Sequence, residues 1–187
     1  MKYLVFVFAS VFIFSAQAES SGRDWSVNPI SIFSIILGDT YKPDTGSSET
    51  RTGQTLSVEF GRNMGAFEVG PILSYSYFKD DSDKDTTTLF GGYFRFNFVE
   101  NAPGTMLVPF ARVSYVFGDY KNEPNVGSST TTKANILRLR AGATWFPVND
   151  YVAIEGFAEY SDRQYKIDTG DYKYDGTTLN GAFAVYF

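Results

Sequence analysis

The chain has 187 residues and a formal net charge of −5, so no basic stripe is available to neutralise phosphates and nucleic acid is excluded as a partner. Aromatic residues make up 18% of it, glycine numbers 17 and cysteine is absent, which excludes an exported disulfide scaffold.

The first element is a leader. Lys2 precedes an apolar run over residues 3–14, and Ala16-Gln17-Ala18 supplies a small-x-small cleavage pattern. This predicts a cleaved secretory signal over residues 1–18, with the mature chain starting at Glu19. The run is shorter than the roughly 20 residues a transmembrane helix needs. Residues 19–187 carry no linker or composition shift, and read as one domain.

Eight segments then alternate with period 2: residues 28–39, 54–62, 66–78, 86–98, 106–119, 132–146, 151–165 and 176–187. Their connections alternate between short turns (62–65, 100–104, 147–150) and mostly longer polar loops (40–53, 79–85, 120–131, 166–175). That sorting predicts an all-β, eight-stranded antiparallel up-and-down transmembrane β-barrel. A soluble barrel would hide its apolar face inside, whereas a membrane barrel turns it outward.

Charge decides between them. Folding the sixth and seventh segments about Val148-Asn149 sets Trp145 against Val152, Gly142 against Glu155 and Arg138 against Glu159. Folding the second and third about Asn63-Met64 sets Glu59 against Glu68, with Arg95 diagonal to Glu68 and Arg112 following. The polar faces together carry Glu59, Glu68, Glu155 and Glu159 against Arg95, Arg112, Arg138 and Arg140. Four against four is the balance a narrow interior requires, because each unpaired buried charge costs several kcal/mol. The reverse faces are rich in Phe, Leu and Val, with Tyr and Trp near their ends, as a lipid-facing band is. The first segment resists assignment: Ile30, Ile32 and Ile36 share one face, but Phe33, Ile35 and Leu37 share the other.

The last segment alternates Phe183, Val185 and Phe187 with Ala182, Ala184 and Tyr186. In this pattern the mature chain resembles small bacterial outer-membrane β-barrels, the group of the OmpA transmembrane domain and OmpX. Asn180, Val185 and Phe187 match the polar and apolar positions of that group's assembly signal, although Ala182 stands where its glycine falls. The resemblance implies an outer-membrane location, both termini periplasmic, recognition by the barrel-insertion machinery, and outer-membrane lipid and lipopolysaccharide as surroundings. Unlike full-length OmpA, the chain is expected to end with the barrel, without a following peptidoglycan-binding domain. An OmpW-like role is disfavoured, because that lumen is apolar and this one is predicted to be ionic.

Catalysis has little to work with. The chain has no His and no Cys, and outer-membrane acyltransferases, deacylases and proteases resemble one another in using His. Glu59 with Glu68 is the paired-carboxylate candidate, read as structural because neighbouring arginines hold both charged. The acidic loop 80–85 fails as a calcium loop, since Thr86 and Gly92 stand where glycine and glutamate are required. Polar loops 43–53 and 124–132 are the candidate binding tips for an external ligand, and Tyr41, Tyr120, Tyr165, Tyr172 and Tyr174 read as an outer interface girdle. The expectation is a monomeric, cofactor-free barrel with a structural or surface-interaction role. Alternatives are a narrow or gated channel for ions or small solutes and, further off, a lipid-modifying enzyme.

Overall fold

A computed structural model describes residues 23–39, 52–79, 83–124, 127–167 and 170–187. Its strands are β1 (Trp25–Asp39), β2 (Thr52–Asn63), β3 (Phe67–Lys79), β4 (Asp83–Asn97), β5 (Leu107–Pro124), β6 (Thr130–Trp145), β7 (Val152–Ile167) and β8 (Gly170–Tyr186). Each pairs antiparallel with the next, and β8 returns to β1 to close the barrel. The expected leader 1–18, the mature start at Glu19 and loop residues 40–51 lie outside the described residues.

Period-2 alternation places even and odd positions on opposite faces. On β5, Val108, Phe110, Arg112, Ser114 and Val116 are buried while Val113, Tyr115 and Phe117 are exposed. On this strand the buried set faces the lumen.

The expected sorting of loop lengths does not hold. At the end away from Arg23 and Phe187, called here the hairpin end, strands run on as paired ribbons. Lys79 pairs with Lys84, Asp83 with Pro124 and Ile167 with Gly170. Polar threonine- and lysine-rich stretches that read as loops are β-ladder instead, because backbone pairing continues where burial has ceased. At the other, terminal end, residues 98–106 form the longest described connection.

Turn geometry also moves two predicted registers. The β2–β3 turn centres on Gly65, whose φ of 73° lies in the left-handed region that glycine enters freely. The Met64 N–H donates to the Phe67 carbonyl (2.7 Å), and the Gly65 N–H donates to Asn63 Oδ1 (3.2 Å). Glu59 therefore faces Ile72, and Glu68 faces Asn63. Glu59 and Glu68 are not opposite, and the paired-carboxylate site is withdrawn. On β6–β7 the register slides by two: Trp145 meets Ile154, Thr144 meets Glu155, Arg140 meets Glu159 and Arg138 meets Ser161. A shift of two or four preserves the face of every side chain.

The first strand has a physical reason for its mixed pattern. Its pairing with β8 shifts register between Val27 and Ile30, Ser31 and Phe33, and Ile36 and Gly38. Each irregularity inserts an unpaired residue and reverses the phase of the alternation.

Arg23, just ahead of β1, closes the terminal end. Its guanidinium lies 3.4 Å from the Phe146 ring centroid and donates to the Thr105 carbonyl (2.9 Å), Asn101 Oδ1 (3.0 Å) and the Asp150 carbonyl (3.0 Å), and it pairs with the Asp150 carboxylate. The approach to β1 is thereby tied to two turns. Asp150 also accepts the Gly104 N–H (2.9 Å); that bond, then Arg23, holds its carboxyl below the ordinary carboxylate value. A depressed carboxyl stabilises the fold above the ordinary carboxylate range and loses that contribution as pH falls through the depressed value. The Asp150→Asn variant should unfold at lower urea than the wild type at neutral pH, and the gap should close in acid. A gap independent of pH would contradict the assignment.

Candidate functional site

One inner rung crosses five strands. Register pairs Glu68 on β3 with Arg95 on β4, Arg95 with Arg112 on β5, Arg112 with Arg140 on β6, and Arg140 with Glu159 on β7. Three arginines thus stand side by side on the lumen face, where directly opposed like charges are destabilising.

Carboxylates reached across the lumen resolve this. Arg112 Nη1 donates to Glu59 Oε2 (2.6 Å), and Arg140 Nη1 donates to Glu59 Oε1 (3.2 Å). Arg140 Nε also donates to Glu159, which lies 4.0 Å from Arg138. Arg95 Nη1 donates to Glu155 Oε1 (2.6 Å), its Nη2 to Thr144 Oγ1 (2.5 Å) and its Nε to Asn97 Oδ1 (2.8 Å). Glu68, although opposite Arg95, accepts instead from Ser26 Oγ (2.7 Å) and the Tyr93 hydroxyl (2.5 Å).

Aromatic faces separate the cations. Arg95 lies over Phe110 (3.9 Å to the centroid), Arg112 over Tyr93 (3.7 Å) and Arg140 over Phe157 (4.7 Å). A guanidinium can stack and form in-plane hydrogen bonds at once, which an ammonium cannot. Gly61 makes room for the Ser26–Glu68–Tyr93 cluster: a Cβ there would sit 2.2 Å from the Tyr93 hydroxyl and 2.3 Å from Ser26 Oγ.

All eight predicted interior charges are thus on the lumen side, but the interior is not wholly ionic. Toward the hairpin end, Ile72, Leu89, Tyr93, Val116, Ala134 and Ile136 pack together, with Tyr165 against them. Toward the terminal end, Val108, Phe146, Ala153, Ala184 and Tyr186 form a second apolar layer. The ion pairs lie between these two apolar clusters. Sequence reasoning missed Arg23, Tyr93, Phe110 and Tyr186 as interior residues; strand parity carried a signal for the last three.

Other expectations fall differently. Tyr120 and Tyr165 meet edge to face with ring centroids 5.8 Å apart on lumen-side positions, so neither belongs to an outer girdle. Tyr41 lies outside the described residues, as do the side chains of Tyr172 and Tyr174. Of the acidic loop, residues 80–82 are not described, and Asp85 is buried and accepts from Asn122 (2.7 Å). Among the described residues no group of three acidic side chains could hold a metal. Asn180 is buried and donates to Thr178 (2.8 Å), and Val185 is buried between strands. Phe187 packs beside exposed Phe60 at 6.4 Å, and its backbone exchanges hydrogen bonds with Trp25.

The outer face is a belt. Residues 67–75, 90–98, 137–145, 152–160 and 179–187 each span nine positions, and 107–117 span eleven. Their outward alternate positions include no charged residue, and Leu73, Phe90, Phe94, Phe117 and Leu139 are between 44% and 56% exposed. A transmembrane strand needs about 9–11 residues.

Neisserial surface protein A (NspA) superposes with a TM-score of 0.56 at 11% identity, covering 90% of this chain and 100% of that one. The N-terminal β-barrel domain of Pseudomonas aeruginosa OprF matches with a TM-score of 0.48 at 13% identity, over 87% of this chain and 99% of that one. Ail, the attachment invasion locus protein of Yersinia pestis, matches with a TM-score of 0.45 at 14% identity, over 86% and 95%. No family model and no curated protein matches the chain. The likeness to NspA is one of fold.

The geometry separates inner from outer ion pairs energetically. Glu59→Ala strips Arg112 of its carboxylate and should cost about 3–5 kcal/mol, as breaking a buried pair does. Lys84→Ala, which opens an exposed pair with Glu123, should leave stability nearly unchanged, because solvent screens such a pair. Urea unfolding in lipid vesicles, followed by Trp25 and Trp145 fluorescence, measures both; equal losses would contradict the lumen placement.

Proposed function

We propose that this chain is an outer-membrane β-barrel with a sealed interior, acting as a structural and surface-display protein. The observation that carries the reading is the uncharged, exposed belt of nine to eleven residues on six strands, which in water would be a large unpaired apolar surface. A lipid core matches it in height and chemistry. The sequence resemblance to outer-membrane barrels and the fold shared with NspA support the same location, reached by way of the leader over residues 1–18.

The mechanism is passive. Ion pairs reached across the lumen fix the cross-section, apolar layers above and below them block water, and polar ribbons at the hairpin end project toward an external ligand. Asn180, Val185 and Phe187 serve the barrel-insertion machinery, and the barrel works as a monomer. A structural role fits a chain without His or Cys better than an enzymatic one.

A narrow ion pathway is the second reading. It draws on polar atoms that the interior leaves without a partner among the described residues: Arg112 Nε and Nη2, and Glu68 Oε2. The refolded protein should partition to the outer-membrane fraction, migrate heat-modifiably in detergent gels and give no steady current in a planar bilayer. Steady unitary currents changed by Arg138→Ala or Glu159→Ala would favour the pathway, and full solubility without detergent would overturn the membrane reading.

A further inference from the structure

Burial of the lumen charges falls off toward the hairpin end. The side chains of Arg95, Arg112, Glu59 and Glu155 are at most 5% exposed, whereas Arg140 (12%), Glu159 (13%) and Arg138 (16%) keep surface open to the lumen. Arg163, on the same face of β7 and four residues beyond Glu159, is exposed. Register takes these residues in sequence along β6 and β7, Arg140 with Glu159, then Arg138 with Ser161, then Ile136 with Arg163. They describe a recess that enters from the hairpin end and stops at Glu59. The apolar cluster of Ile72, Leu89, Val116 and Ile136 lies beside it on β3–β6.

The outer part of this recess carries unspent donors. A guanidinium has five N–H groups and no acceptor. Arg140 spends its own on Glu59 and Glu159. Arg138 comes no nearer than 4.0 Å to Glu159, and Arg163 has neither an ion pair nor a hydrogen bond among the described residues. Because Arg138 faces Ser161 and Arg163 faces Ile136, the two arginines hold diagonal positions on one face, about 7–8 Å apart and within reach of one small ligand. The lumen as a whole is near neutral. Glu155 serves Arg95, Glu68 accepts from Ser26 and Tyr93, and Asp85 lies on β4 beside Asn122. By register Asp39 stands on β1 opposite Gly176, two strands beyond Ser161. What is left over between Arg138 and Arg163 is therefore hydrogen-bonding capacity rather than net charge.

We infer that this recess binds one phosphate group of a small soluble solute, clasped between Arg138 and Arg163. A tetrahedral oxyanion offers each guanidinium its own edge of two oxygens, and arginine takes such an edge through paired N–H groups. A halide offers no edge. Glu159, the nearest carboxylate, is already paired with Arg140, so it does not compete for the site as a free anion. The site needs only the fold; that its mouth faces the cell exterior rests on the outer-membrane reading above.

Titration calorimetry of the folded protein in an uncharged detergent, with inorganic phosphate, glycerol phosphate or chloride added at constant ionic strength, tests this. One phosphate should bind per chain, at least ten-fold more tightly than chloride. The tighter of the two phosphate compounds tells a free ion from an organic phosphate as the natural source. Arg138→Gln and Arg163→Gln should each lower the affinity at least ten-fold, and Arg62→Gln, outward at the terminal end, should leave it unchanged. Heat-modifiable migration shows whether each variant is folded. Arg163 is exposed and opens no ion pair when replaced, so its variant carries the test if Arg138→Gln does not fold. Absence of phosphate binding by the folded wild type, chloride bound as tightly, unchanged affinity in folded Arg163→Gln, or an equal loss in Arg62→Gln would overturn the inference. A wild-type chain that binds phosphate in detergent yet does not insert into vesicles would instead overturn the outer-membrane reading.

Discussion

Three arginines on one inner rung are the constraint around which the barrel is arranged. Arg95, Arg112 and Arg140 are nearest neighbours across β4, β5 and β6, and no hairpin partner of these strands could neutralise all three. Beside Glu159, which meets Arg140 from the adjoining β7, two carboxylates come from farther round the barrel: Glu59 on β2 reaches Arg112 and Arg140, and Glu155 on β7 reaches Arg95. These contacts span the lumen between strands that share no backbone hydrogen bonds. They therefore fix the cross-section as well as the charge, and removing either partner leaves a buried ion uncompensated.

From this follows a division of labour among side chains. The cations of the rung are guanidinium groups, which lie over Tyr93, Phe110 and Phe157 while donating N–H groups to carboxylates and hydroxyls. Apolar clusters flank the ion pairs on either side, and the pairs gain strength from their burial, because effective dielectric falls with it. Outside, the same backbone carries a belt that includes no charge, and the lysines begin only beyond it. One alternation thus builds an ionic centre and a lipid-compatible surface from the same strands.

How much of this is legible in the sequence depends on which property fixes it. Face depends only on strand parity, so Glu59, Arg112 and Glu155 can be set on the inside even though the β2–β3 and β6–β7 registers slide by four and two. Partners depend on turn geometry and closure. The left-handed Gly65 moves Glu59 away from Glu68, and no hairpin register can foretell Glu59 meeting Arg140 from β2 to β6. Three register shifts against β8 scramble the phase of β1. Arg23 precedes any periodic segment, so nothing in the alternation marks it as the residue closing the terminal end. The hairpin ribbons read as loops because their composition is polar, while their backbone pairing is not a matter of composition.

The central claim is the sense of the alternation: apolar to lipid, charge to lumen. The chain has no cysteine, so single cysteines carrying a nitroxide can be placed along β6 without background. In lipid vesicles, labels at Leu137, Leu139, Ala141 and Ala143 should collide freely with dissolved oxygen, which concentrates in the hydrocarbon. Labels at Ala134, Ile136 and Thr144 should be shielded from it. High oxygen accessibility at the second set and shielding at the first would mean that the barrel is turned inside out relative to this account.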